Sequence, residues 1–163
     1  KELTGKYYWS NVLGYNYNWT NLQAALALAQ LRRIDELIEY KQWLFHEYEK
    51  HLGEIEGIQL SAAKKNVNPT YWISVAIVDA SYGIDKEELG RRFSEYGIDM
   101  RPLFYPVSEM PPFKPYIVGV NIEKVNPVSY GLSRYGVCLP NGNGLTVDDV
   151  KYVCDKFKEI LDI

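Results

Sequence analysis

Long apolar runs, clustered cysteines and clustered histidines are all missing from this 163-residue sequence. No stretch approaches the roughly 20 apolar residues that a membrane-spanning helix needs. No leader peptide is legible at the start. The two cysteines, Cys138 and Cys154, lie too far apart for a close-spaced metal motif and are too few for a disulfide framework. They read as reduced, partly buried thiols of a cytoplasmic protein. The two histidines, His46 and His51, are five residues apart. On a helix they point about 140° apart, so they cannot share a metal ion there. A basic excess is also missing. Eighteen Lys and Arg face 21 Asp and Glu, giving a net charge of −3. That argues against a general nucleic-acid binder, which usually carries a basic stripe. There is no G-x-S-x-G, Walker loop or H-E-x-x-H. The carboxylates fall mostly on solvated helix faces. No complete catalytic constellation and no metal site is expected within the chain.

What the sequence has in abundance is aromatic: 14 tyrosines and 4 tryptophans. Such rings offer apolar area with a polar tip, suited to core and interface alike. The length fits one domain or one piece of a larger protein, enough to bury a core. The chain opens on Lys1 rather than methionine, and reads as a piece of something longer.

The clearest element is helical. Thr20-Asn21-Leu22-Gln23 fits a capping box, with threonine three residues before glutamine. Apolar residues then recur at helical spacing from Leu22 to Leu52, with no Gly or Pro between 20 and 52. One unbroken helix over that range would be about 50 Å long. Its Ala/Leu-rich first half predicts burial on several sides, and its second half an amphipathic surface helix. Further along, strands are predicted over 71–78, 98–104 and 137–139. Helices are predicted over 85–96, 126–134 and 146–161. Asp85 is the expected N-cap of the first, with Glu88 at the capping-box position. Gly97 ends it, and Pro127 sits at the first position of the second. The order implies an α/β fold, a small α+β layer with helices on one face of a sheet behind a long N-terminal helix. The helix with two kinds of environment suggests a loop and bridging helix over residues 1–52 and a small α/β domain over 53–163.

Two loops are candidate sites, each with two readings. At Gly14–Asn21, a helix N-terminus offers free N–H groups and a positive dipole end to a phosphate, and Asn16 and Asn18 could add amide donors. Equally, these asparagines are turn formers at the helix entry. In RPLFYPVSEMPPF, Arg101 to Phe113, an arginine at a strand end could clamp a carboxylate or phosphate. Equally, this is a rigid surface loop with its rings tucked into the core.

Four blocks carry a resemblance: YYWSNVLGYNYNWTNLQAALALAQLRRID, YWISVAIVD, RPLFYPVSEMPPF and GVCLPNGNGLTVDDVKYVCDKFKEI. In this order they resemble the sugar aminotransferases of the DegT/DnrJ/EryC1/StrS family, over essentially the whole chain. The resemblance implies the C-terminal part of the aspartate-aminotransferase (type I) fold. It implies that the loop within residues 1–52 is an interface and that 53–163 is the small C-terminal domain. It implies pyridoxal 5′-phosphate (PLP) as cofactor, held with its Schiff-base lysine in a large N-terminal domain that this chain does not contain. The chain alone is then expected to be inactive. The implied reaction moves an amino group from glutamate to a nucleotide-linked keto-sugar, such as a 4-keto-6-deoxyhexose, within a homodimer. The RPLFYP…MPPF version resembles the perosamine-synthase branch, which points to a GDP-linked sugar.

By the same resemblance, Asn16 and Asn18 would meet the PLP phosphate of the partner subunit, and Tyr15, Arg101, Tyr105 and Ser108 would line the substrate end. Two positions depart from the pattern. Many relatives carry arginine at the position of Asn18, so part of the phosphate neutralisation is unaccounted for. Many carry histidine at the position of Ser108, which bears on sugar specificity. The rival expectations are a non-catalytic module that binds a nucleotide sugar or dimerises, and a lysine-less sugar dehydratase.

Overall fold

The computed structural model describes residues 7–15, 18–61 and 63–163. Helix α1 spans Asn21–Leu31. It opens on the expected capping box: the Thr20 N–H donates to Gln23 Oε1 at 2.8 Å, and the Gln23 N–H donates to Thr20 Oγ1 at 3.3 Å. The long helix is not continuous. Arg33 leaves helical geometry (φ −118°, ψ 19°), and α2 restarts at Ile34–Leu52. Asp35 and Glu36 occupy its first turn, where acidic side chains favour the positive end of a new helix. Arg33 also grips Glu36 through two bonds, of 3.0 and 2.6 Å.

The expected burial of α1 is corrected as well. None of its residues is buried, and Leu22 is 72% exposed and Leu26 61%. Its Ala/Leu surface has nothing in the described chain to pack against. Helix α2 behaves as its amphipathic pattern predicts. Leu44, Tyr48 and Leu52, spaced by four, point inward.

Four short strands form one antiparallel sheet: β1 (Ile58–Leu60), β2 (Val75–Val78), β3 (Arg101–Pro102) and β4 (Gly136–Cys138), in the order β1-β2-β4-β3. The register pairs Ile58 with Val78, Ala76 with Val137, and Arg101 with Cys138. The strands are shorter than the apolar runs suggested. Tyr71 turns to φ +46° and stacks on Phe45 at 3.7 Å instead of extending β2. β3 lies on the sheet edge, where Pro102 has no N–H to give, and its last bond to β4 runs from the Leu103 N–H to the Gly136 carbonyl at 2.9 Å.

Helices α3 (Lys86–Glu95) and α6 (Val147–Leu161) join α2 over one face of the sheet. Leu89 and Phe93 of α3 meet Val150, Cys154 and Phe157 of α6 in the core, with the Phe93 and Phe157 rings 5.6 Å apart. Asp85 caps α3 by accepting the Glu88 N–H at 2.9 Å. The Glu88 carboxylate bonds Arg91 and Arg92. The predicted back-bond that would complete a capping box is not seen. Two short helices, α4 (Ile122–Val125) and α5 (Pro127–Tyr135), precede β4. At Gly136 a Cβ would lie 2.5 Å from Leu103 Cδ2, 2.6 Å from the Leu132 carbonyl and 2.8 Å from Ile77 Cδ1. Only a glycine lets the end of α5, the β3 exit and β2 meet there.

The loop 140–145 is tied to α2. The Tyr48 hydroxyl donates to the Pro140 carbonyl at 2.7 Å, and the Tyr40 hydroxyl donates to Leu145 O at 2.9 Å and accepts from the Gly144 N–H at 3.0 Å. Among the described residues, no helix is long and apolar enough to cross a membrane.

Candidate functional site

The chain following β3 builds the site. Its backbone leaves the sheet after Leu103, and Phe104 and Tyr105 then meet Tyr8 and Trp9 on one side and Glu87 of α3 on the other. There a cleft of about 510 Å³ is lined by Tyr7, Lys86, Glu87, Asp99 and Tyr105, among others. Arg101 stands at its border. Its guanidinium donates to Asp99 Oδ2 at 2.8 Å and lies 4.3 Å from the centre of the Tyr7 ring. Desolvation works against this cation, but Asp99 and Tyr7 outweigh it and raise the guanidinium above its usual range.

Tyr105 is half-buried. Its hydroxyl donates to Glu87 Oε1 at 2.7 Å, and Lys86 Nζ lies 3.6 Å from its ring centre. Trp9 meets the ring edge-on at 5.3 Å. Burial, and then the neighbouring Glu87 carboxylate, push the phenol upward, so it stays a neutral donor at physiological pH.

On the far side of Lys86, Glu87 and Tyr105 lies a second cleft of about 430 Å³, reaching Glu109, Tyr130 and Arg134. Ser108 belongs to a third, shallower groove with Val107, Phe113 and Tyr116, and its hydroxyl is 3.2 Å from that of Tyr130. Tyr105 therefore lines the first cleft, Arg101 stands beside it between the lining residues Met100 and Pro102 without lining it, and Ser108 belongs to a neighbouring groove. Tyr15, 76% exposed, lines none of these three surfaces, and neither does Asn18, also exposed. Asn16 lies outside the described residues.

Tyr7, Lys86, Glu87 and Asp99 escaped the sequence reading. Lysine and glutamate after an N-cap look like ordinary first-turn residues. Only the fold turns Lys86 inward, to 3% exposure.

Chemically, the first cleft suits binding more than bond-breaking. The Asp99 carboxylate can accept from a hydroxyl group, the Tyr105 phenol oxygen can accept while its proton is held by Glu87, and aromatic faces supply apolar contact. Among the described residues, no group of three or more His, Cys, Asp or Glu could hold a metal. Nor does this cleft suit the phosphate of a cofactor. Lys86 is engaged with Leu103 O, Ser133 Oγ and the Tyr105 ring, and acidic Glu87 and Asp99 share the lining. The exposed amide of Asn18, three residues before α1, carries donors of the kind a phosphate accepts.

Residues 2–158 match the model of the DegT/DnrJ/EryC1/StrS aminotransferase family. The chain is 34% identical to GDP-perosamine synthase of Escherichia coli O157:H7, over 93% of this chain and 39% of the relative. It is 31% identical to GDP-perosamine synthase of Vibrio cholerae, over 96% of this chain and 41% of the relative. The chain thus spans about two-fifths of the length of these curated relatives. Among solved structures, it is similar in fold to Helicobacter pylori PseC, an aminotransferase involved in the biosynthesis of pseudoaminic acid. That similarity has a TM-score of 0.75 at 12% identity, over 93% of this chain and 40% of that one. Sugar aminotransferase CalS13 from Micromonospora echinospora superimposes with a TM-score of 0.68 at 23% identity, over 90% and 37%.

Proposed function

Since the chain belongs to the DegT/DnrJ/EryC1/StrS aminotransferase family, we propose that it is the C-terminal part of a PLP-dependent sugar aminotransferase. The whole enzyme moves an amino group from glutamate to a nucleotide-linked keto-sugar, a GDP-linked 4-keto-6-deoxyhexose. The observation that carries this reading is the 34% identity to a GDP-perosamine synthase over 93% of the chain. When bound, PLP supplies the electron sink that lets an amino group and a proton change carbons. This chain's residues bind and orient. Asn16 and Asn18 donate to the PLP phosphate of a second subunit, while Tyr15, Arg101, Tyr105 and Ser108 face the sugar-nucleotide. Residues 1–52 serve as the interface segment and 53–163 as the small domain. The exposed leucines of α1 support that assignment, because a stripe of this size normally seats against other protein. The chain by itself is inactive, and the working form is a homodimer.

The test uses the protein expressed with the residues that precede Lys1 in its gene. Incubated with PLP, glutamate and a GDP-linked 4-keto-6-deoxyhexose, it yields a GDP-linked amino sugar detectable by mass spectrometry. If the keto-sugar is bound but never aminated, a binding module is the better account. If it is dehydrated, the lysine-less relatives are.

A further inference from the structure

Lys86 and Glu87 are consecutive residues of the first turn of α3, and both hold Tyr105. Lys86 is 3% exposed, and a lysine that buried is rare because its ammonium must replace its lost hydration. Its Nζ donates to the Leu103 carbonyl at 3.1 Å and to Ser133 Oγ at 3.2 Å, and lies 3.6 Å from the Tyr105 ring centre. Within 6 Å of an aromatic face, a desolvated cation is attracted by the ring quadrupole. Glu87 approaches from the solvent side and accepts the Tyr105 hydroxyl at 2.7 Å. The ring is thereby restrained on its face and at its tip. The three side chains also line both the 510 Å³ and the 430 Å³ clefts, so together they are the wall between them.

We propose that the first turn of α3 is a positioning device for Tyr105. Lys86 sets the plane of the ring, Glu87 sets the direction of its hydroxyl, and the pair thereby sets the affinity of the cleft for the nucleotide-linked sugar. This rests on the reading above, in which Tyr105 faces that substrate. Lys86 and Glu87 are positioning residues and touch no reacting atom.

The test uses the protein with its upstream residues and the variants E87A, E87Q, K86M, K86R and Y105F. Glu87 is exposed, so its variants keep the test open if K86M fails to fold. E87A raises the KM for the GDP-linked keto-sugar about five- to tenfold, the worth of one hydrogen bond. E87Q, which can still accept, raises it less, and K86R recovers most of what K86M loses. The glutamate half-reaction, followed by the visible absorbance of the cofactor, falls by less than the sugar step does in the Glu87 and Lys86 variants. E87A combined with Y105F is no worse than Y105F alone, as expected for residues acting through one group. An unchanged KM in E87A, additive losses, or a glutamate half-reaction that falls in parallel would each overturn the proposal. A second readout needs no activity. In protein labelled with 3-fluorotyrosine, the Tyr105 resonance, assigned by its loss in Y105F, shifts in E87A and K86M. A resonance that stays put overturns the device. A wild type that never transfers an amino group overturns the functional reading instead.

Discussion

Tyr48 is completely buried, yet its hydroxyl reaches the Pro140 carbonyl at 2.7 Å. Removing that oxygen leaves a carbonyl without its donor inside the fold. Tyr48→Phe therefore costs about 1–3 kcal/mol. A urea titration shows this as a lower midpoint with an unchanged slope. Cys154 gives a pH dependence. Burial first, with Asp155 adding to it, pushes its thiol from the ordinary 9.0 up to about 12. A folded value above the unfolded one contributes stability that is complete below pH 9. It is lost as pH rises toward 12, because the unfolded chain releases the proton first. Stability falls across that window, and Cys154→Ala makes the fall shallower in denaturant titrations at pH 8, 9 and 10. At the residue scale, the sequence was legible where chemistry is local. Thr20 and Asp85 cap as their spacing implies. It was illegible where a partner is distant: nothing near Lys86 announces Leu103, Tyr105 or Ser133.

The helices show the same division. The stripe Phe45, Tyr48 and Leu52 gave the inward face of the second half of α2, whereas Ile34 at its start is 40% exposed and the buried Leu44 stood outside the stripe. The break at Arg32–Arg33 went unread because no Gly or Pro marks it. The acidic pair Asp35 and Glu36 was the one available sign. In α1, an Ala/Leu composition predicted burial, but composition specifies an apolar surface without saying what covers it. This yields a prediction. Leu26→Glu changes the stability of this chain by less than about 0.5 kcal/mol, the usual effect at an exposed site. In the protein with its upstream residues it weakens self-association, read by light scattering on a sizing column. The seam at Gly136 predicts the opposite behaviour. Gly136→Ala forces a methyl against Leu103, Ile77 and the Leu132 carbonyl. Overpacking of that kind costs about 1–3 kcal/mol. It also disturbs the β3 exit that carries Tyr105, so thermal melting and sugar affinity should fall together.

At the scale of the whole molecule, the chain is a small antiparallel sheet covered on one face by α2, α3 and α6, with an uncovered apolar helix at one end and a polar, aromatic-lined cleft beside β3. Fold class was readable from the order of the elements, while the sheet's antiparallel order and the added strand β1 required the structure. β1 is only three residues long, too brief to stand out as a pattern. Of the cleft lining, only Tyr105 sits among the site residues singled out from the sequence, whereas Tyr7, Glu87 and Asp99 reach it only through folding. Such a cleft has the groups to hold and orient a polar ligand, and under the proposed function the cofactor would be held outside this chain.

The central claim, that this chain serves a PLP-dependent aminotransferase, is tested most directly by one spectrum. The protein is purified with the residues that precede Lys1, PLP is added and the excess removed, and the visible absorbance is recorded before and after adding glutamate. The account predicts a visible band from protein-bound PLP that bleaches with glutamate and returns when the keto-sugar is supplied. Protein that retains no such band, or a band that glutamate leaves untouched, would contradict it.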